Sequence, residues 1–296
     1  MYESLRQIER EAAFRLLKWA VDSLPPPWDS RWKGIGRKPY DARALTVVTI
    51  WQEIEGKAER AYTADLERDK ERLRLLGLKH APHRTALYRT RRRLSEGYMR
   101  RLNRRILEGL KAARRLGADA TGLRQSKQEP SWSSAGEESR RGYVKLHALF
   151  DLESGTIHAM EATRGSEHEC THLEALLADV DEVECFVADA GYLSRRNCRL
   201  VAERGGVPYI KPKKNSREKA GGCWPWKSMV TLFRKHPRLF NRVYGLRQRV
   251  EAGWRSLKSM VGDLIRNRTT QTVTAEIWAK IVCYNLIWTI RRSHGF

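Results

Sequence analysis

The chain has 296 residues, 41% hydrophobic and 31% charged, and its 57 Lys and Arg exceed 35 Asp and Glu to leave a net charge of +22. That length holds one large or two ordinary domains, and that composition excludes a disordered chain. The charge points to a polyanionic partner, most simply nucleic acid. No apolar signal region follows Met1-Tyr2-Glu3-Ser4, so secretion is not expected. The longest apolar run, Ile277 to Ile290, contains Lys280 and Asn285 and is too short and polar to span a bilayer. Five scattered cysteines without a Cys-x-x-Cys pair suit a reducing cytosol, so a cytoplasmic protein with no membrane partner is expected.

In chain order, residues 3–22 read as a helix with Leu5, Ile8, Ala12, Leu16 and Trp19 on one face. Pro25-Pro26-Pro27 ends it and opens a basic connection through Arg37-Lys38-Pro39. A second helix spans 40–55 with Leu45, Val48 and Trp51, and a third, highly charged one spans 63–76. After Pro82 a long helical stretch runs to Arg115, with twelve basic residues against Glu96 and Glu108. Such an excess repels itself without a counter-anion, and it marks the stretch, Arg91-Arg92-Arg93 in particular, as a DNA-backbone contact.

From Leu116 the texture changes to strands and turns. Strands are expected at 116–123, 143–151 and 156–163, with a polar excursion at 125–139 and a turn at Glu153-Ser154-Gly155. A helix at 168–177, a strand at 183–189, a helix at 194–204 and a strand at 207–211 follow. This order predicts a mixed α/β sheet whose first three strands meander. A basic loop, Lys211-Pro212-Lys213-Lys214, leads to Trp224-Pro225-Trp226.

The stretch from Tyr244 to Val261 carries two stripes at helical spacing. Leu246, Val250, Trp254, Leu257 and Val261 make a core-facing seam, and Tyr244, Arg247, Glu251 and Lys258 fall on a second line. Spacing alone favours a surface helix with Arg-Glu and Glu-Lys pairs.

The second line resembles the Tyr-Arg-Glu-Lys signature of bacterial and archaeal DDE insertion-sequence transposases, in the spacing of insertion-sequence families four and five. Ala118-Asp119-Ala120-Thr121-Gly122-Leu123, Lys145-Leu146-His147 and Asp189-Ala190-Gly191-Tyr192-Leu193-Ser194 resemble landmark segments of the same family. So does the tail from Arg266-Asn267-Arg268 through Tyr284-Asn285-Leu286. The resemblance covers about 116–290 and implies a ribonuclease-H-like core at 116–296, preceded by an all-helical DNA-binding and dimerisation region at 1–115. The 62 residues from Asp189 to Glu251 leave no room for a large insertion domain.

The resemblance makes Asp119, Asp189 and Glu251 the catalytic and metal-binding acids. Cleaving a phosphodiester needs an activated water and a stabilised leaving oxygen, and two divalent ions held by hard oxygens supply both. Carboxylates with open water positions suit Mg²⁺ or Mn²⁺. Taken singly, Asp119 and Asp189 are better read as turn-forming residues before Thr121-Gly122 and Gly191. The resemblance further implies that Tyr244, Arg247 and Lys258 contact transposon-end DNA, with neither ATP nor a covalent protein–DNA intermediate. Partners are then double-stranded DNA, as terminal inverted repeats and target, and a second copy of the chain. Lys213 and Lys214 belong to the expected DNA surface. Trp224 and Trp226 either stack on a base unpaired near the cut or anchor their loop to the core. One departure is visible: His168-Glu169 stands where the family commonly has His-Asp.

His168-Glu169-Cys170-Thr171-His172 also matches the zinc-protease pattern His-Glu-x-x-His. No third ligand follows at the usual spacing, since 175 and 178 are both Ala, and proteolysis leaves the charge of +22 unexplained. A DNA-binding protein that has lost strand transfer is a third reading.

Overall fold

A computed structural model describes residues 2–31, 34, 38–125, 143–164 and 167–293 of the chain. Nearly all of the polar excursion at 125–139 lies outside them. The helical first part comprises α1 (Tyr2–Asp22), α2 (Ala42–Glu55), α3 (Glu59–Arg68), α4 (Lys70–Leu75), α5 (Arg84–Arg93) and α6 (Glu96–Leu107). There follow β1 (Arg115–Gln125), β2 (Tyr143–Asp151), β3 (Ile157–Arg164), α7 (Leu173–Leu176), β4 (Cys185–Ala188), α8 (Arg195–Ala202) and β5 (Val207–Ile210). The chain continues with α9 (Trp224–Lys235), α10 (Pro237–Tyr244), α11 (Arg247–Val261) and α12 (Thr270–Ser293). Two compact units result, Met1–Gly109 with Leu257–Phe296, and Leu110–Ser256. The division at 115/116 expected from the sequence keeps residues 257–296 with the sheet instead.

In the helical unit α12 is buried on all sides, with Ile277, Trp278, Ile281, Val282, Tyr284 and Leu286 inside, which is why its sequence shows no amphipathic stripe. It packs against α1, α2, α5 and α6. Among the described residues no helix is long and apolar enough to cross a membrane. The basic stretch is not one helix to residue 115. It breaks at Leu94, and the Ser95 hydroxyl caps α6 by accepting from the Tyr98 N–H at 3.2 Å. The inward face of α1 also differs from expectation. Ala13, Phe14, Leu17, Ala20 and Val21 are buried, while Ile8 and Trp19 are exposed. Arg105 lays its guanidinium over the exposed Trp19 ring, 4.4 Å from the centroid.

In the other unit the strands lie in the order β3-β2-β1-β4-β5. The first three pair antiparallel as a meander, and β4 and β5 extend the sheet in parallel from β1. This is the ribonuclease-H-like mixed sheet. Leu116, Ala118, Phe186 and Ala188 share a core with residues of α7, α8, α9 and α10. Alternation turns Gly117 to the opposite side. There a Cβ at 117 would stand 2.7 Å from Val250 of α11 and 2.9 Å from Leu152. The absent side chain is therefore what lets α11 lie close to β1. Trp254, one turn along, meets Phe150 edge-on at 5.0 Å.

Two expected helices come out in pieces. Residues 168–177 form a 3₁₀ turn (Glu169–Thr171) followed by the short α7. Tyr244 closes α10 and Arg247 opens α11, so the signature line crosses a joint at Gly245-Leu246.

Candidate active site

The parallel pairing of β1 with β4 ends at Ala118↔Ala188. Asp119 and Asp189 are thus the next residues on two neighbouring strands, at the carboxyl end of β4 where that pairing stops. Side chains in register on adjacent parallel strands point the same way, so the two carboxylates share a locality. Asp189 is held in an extended conformation by its own turn, with Oδ1 accepting from the Gly191 N–H at 2.8 Å. Asp119 is only 13% exposed. Burial pushes its carboxyl up to about 6, against the pull of Arg247 and the Ala120 N–H, and Asp189 and Glu169 add to the rise.

Arg247 faces both Asp119 and Glu251. Its guanidinium is 3.6 Å from Asp119 Oδ1, beyond hydrogen-bond reach, and 2.5 Å from Glu251 Oε1 one turn on in α11. Burial works against the Arg247 charge, but Asp119, Tyr244, Glu251 and Asp189 together hold its pKa above the ordinary value. Glu251 remains 47% exposed. Tyr244 stacks on Phe240 at 5.5 Å, and burial, opposed by Arg247 and helped by Asp189, Asp119 and Glu251, raises its hydroxyl. Tyr244, Arg247, Glu251, Asp119 and Asp189 are therefore electrostatic neighbours. Lys258 lies farther along α11, past the boundary of this unit.

A further acid stands beside them. Lys145 Nζ is 3.0 Å from Glu169 Oε1 and donates to the Glu167 carbonyl at 3.1 Å. At Gly191 a Cβ would lie 2.2 Å from Glu169 Oε2 and 2.9 Å from Asp189 Oδ1, so position 191 has no space for a side chain. The sequence signal for Glu169 was there, in the His168-Glu169 word, but nothing local said that it would reach Asp189. The word Lys145-Leu146-His147 also gains a physical meaning. Lys145 holds Glu169, and the buried His147 ring lies 3.2 Å from the Tyr192 hydroxyl and 2.9 Å from Thr163. Burial, then His172 and Lys145, push His147 down to about 3, so it is a neutral strut.

Among the described residues no group of three or more His, Cys, Asp or Glu is arranged to hold a metal ion. The donors offered by Asp119 and Asp189 are nonetheless hard oxygens in an under-neutralised pocket, and these suit Mg²⁺ or Mn²⁺. The zinc-protease reading of residues 168–172 does not survive. His168 is exposed, His172 is buried, and the residues between them form a 3₁₀ turn rather than an α-helical face. His172 is committed to Glu161 at 2.8 Å and stacks on His147 at 4.3 Å.

The expected DNA contacts divide. Arg91 is 3% exposed, bound to Glu59 at 2.5 Å, Gln52 at 2.6 Å and Glu53 at 3.3 Å, so it is a core ion and not a phosphate ligand. Arg92 and Arg93 are exposed on α5. Lys213 and Lys214 are exposed in the loop leaving β5, beside the β4 end: the Lys211 N–H bonds the Ala188 carbonyl at 3.2 Å. Trp226 is 9% exposed, donates to the Arg217 carbonyl at 3.0 Å and lies under the Arg195 guanidinium, so it anchors its loop. Trp224 opens α9, 68% exposed, with Lys227 Nζ 4.8 Å from its ring centroid.

A family model described as the transposase DDE domain matches residues 112–286, which is more than half of the chain and includes Asp119, Glu169, Asp189 and Glu251. No curated protein sequence matches. Among solved structures, the piggyBac transposase synaptic complex with hairpin DNA aligns at 10% identity and a TM-score of 0.48, over 97% of this chain and 76% of that one. The Mos1 transposase paired-end complex with left transposon end aligns at 12% identity and a TM-score of 0.22, over 73% and 82%.

Proposed function

The chain belongs to the transposase DDE-domain family, and from that premise we propose that this DNA transposase binds the terminal inverted repeats of an insertion sequence of the four/five type, cleaves at its ends and joins the freed 3′ hydroxyl to target DNA. The observation that supports the reading is the neighbouring placement of Asp119 and Asp189 where the β1–β4 pairing ends, with Arg247 lying between Asp119 and Glu251. Asp119 and Asp189 supply oxygens from two neighbouring strands, and Glu251 supplies the third acid from α11. Mg²⁺ or Mn²⁺ held by them would activate the attacking water and stabilise the leaving oxygen.

The chain's own cations do the rest. Arg247 offsets the acids in the free protein and can turn to a DNA phosphate when the backbone enters. Such an exchange frees the Glu251 carboxylate. In the sheet unit Tyr244, Lys213 and Lys214 contact this backbone and Trp224 offers an exposed ring for an unpaired base; in the helical unit Lys258, Arg92 and Arg93 make phosphate contacts of their own. A homodimer on DNA would bring two ends together.

The test is cleavage of duplexes carrying the element's own ends, in Mg²⁺. Asp119→Ala, Asp189→Ala and Glu251→Ala should each fall to background while remaining folded. A folded variant with near-normal cleavage removes its residue from the acids. Tight binding without any cleavage by the parent would instead mark a DNA-binding protein that has lost strand transfer.

A further inference from the structure

Glu169 has one carboxylate oxygen bound and the other bare. Oε1 meets Lys145 at 3.0 Å, whereas Oε2 is buried and has no hydrogen-bond partner. That bare oxygen lies against Gly191, on the side occupied also by Asp189 Oδ1. Its charge is felt at Asp119, whose rise it shares with Asp189. A buried acceptor left without a donor is costly and calls for an explanation, an unseen ion among them. A salt bridge that merely pins residues 167–172 to β2 accounts for Oε1 alone. It leaves unexplained why Oε2 is turned, without a donor, to the side of Gly191 that Asp189 Oδ1 also occupies.

We propose that Glu169 is a further ligand residue of the active site, its bare oxygen joining Asp119 and Asp189 in holding the divalent cation while Lys145 fixes the carboxylate. The inference rests on reading Asp119 and Asp189 as a cation site. Lys145 keeps Oε1 occupied, so that Oε2 alone is offered to the ion. Gly191 is the position that must stay bare for this pose to exist.

The test is Mn²⁺ binding to the metal-free full chain without DNA, read from the electron paramagnetic resonance signal of free Mn²⁺. Parent, Asp119→Asn, Asp189→Asn and Glu169→Gln are compared, each with a thermal melt in EDTA. Glu169→Gln keeps a carbonyl for Lys145, so it should melt no lower than the parent yet bind Mn²⁺ about tenfold or more weakly. If it binds as tightly as the parent while both Asn variants no longer hold the ion, Glu169 is only a tether and the proposal is overturned, with the cation site intact. If the parent binds no Mn²⁺, the cation site fails and Glu169's role fails with it. Should Glu169→Gln not fold, Glu169→Met, near in shape and uncharged, is read the same way. Failure of both to fold in EDTA would make the residue structural and count against the proposal.

Discussion

The buried carboxylates Glu53 and Glu276 of the helical unit and the half-buried Asp119 of the sheet unit are treated in opposite ways. In the helical unit Glu53 lies between Arg91 and Lys280, each 3.3 Å away, and Lys280 also donates to the Val261 carbonyl at 2.6 Å. Glu276 accepts from the Arg266 and Asn267 backbone N–H groups and from the Asn267 amide, all at 2.7–3.1 Å. Burial and Glu53 push Glu276 upward even so, and these bonds are what hold it. In the sheet unit Asp119 has one guanidinium at 3.6 Å and two other acids for neighbours. A buried acid enclosed by cations and donors is a structural part. A half-buried acid left among acids carries a raised pKa, the condition under which the proposed cation would be welcome.

The sharpest way to break this contrast is to strip the helical unit of its cation. Arg91→Met leaves Glu53 short of a partner and Glu59 and Gln52 unmatched, and should cost about 3–5 kcal/mol of stability. Urea titration of the full chain measures it. A decrease no larger than that of a surface substitution would mean that the cluster is not a structural part.

The opposite sign is expected in the sheet unit. Asp119 has a folded pKa of about 6 against an ordinary 3.8, so the folded state binds the proton more tightly. Native stability therefore falls as pH rises from about 4 through 6. Asp119→Asn removes this penalty, and in EDTA at pH 7 it should be about 3 kcal/mol more stable than the parent. The gain should vanish below about pH 4, where both states carry the proton. A less stable Asn variant at pH 7 would show that Asp119 is compensated after all.

The smallest effect on stability belongs to the exposed basic surface. Arg92→Ala with Arg93→Ala should leave the melting temperature in place. It should flatten the slope of log affinity for duplex DNA against log salt by about 0.9 for each phosphate that is no longer neutralised. An unchanged slope removes α5 from the DNA surface.

The alternation of β1, β2 and β3 and the turn at Glu153-Ser154-Gly155 were legible in the sequence, because strand period and turn residues are local properties, whereas Asp119 and Asp189 were singled out by the family resemblance. The seam Leu246, Val250, Trp254, Leu257, Val261 was legible for the same reason and is buried from Val250 on, while Leu246, before the start of α11, is half-buried. Which stripe of α1 turns inward was not. Ile8 and Trp19 fit a helical period as well as Phe14 and Leu17 do, and only the neighbouring helices choose between them. Arg91, Arg92 and Arg93 are identical letters in a row; the helix turns the first toward Glu53 and leaves the others exposed. Trp224 and Trp226 were separated in the same way, one exposed and one inside.

The sequence by itself thus determined the kind of sheet and the family words, since each is written in spacing along one segment. Only the tertiary structure decided how far the acids gather. β1 meets β4 in a register that makes Asp119 and Asp189 neighbours, and Gly117 lets α11 close enough to bring Arg247 near Asp119. Gly191 then leaves the space into which Glu169, twenty-odd residues upstream, turns its bare oxygen. Those distances depend on close approach between segments remote in the chain, and no periodicity along one segment encodes them.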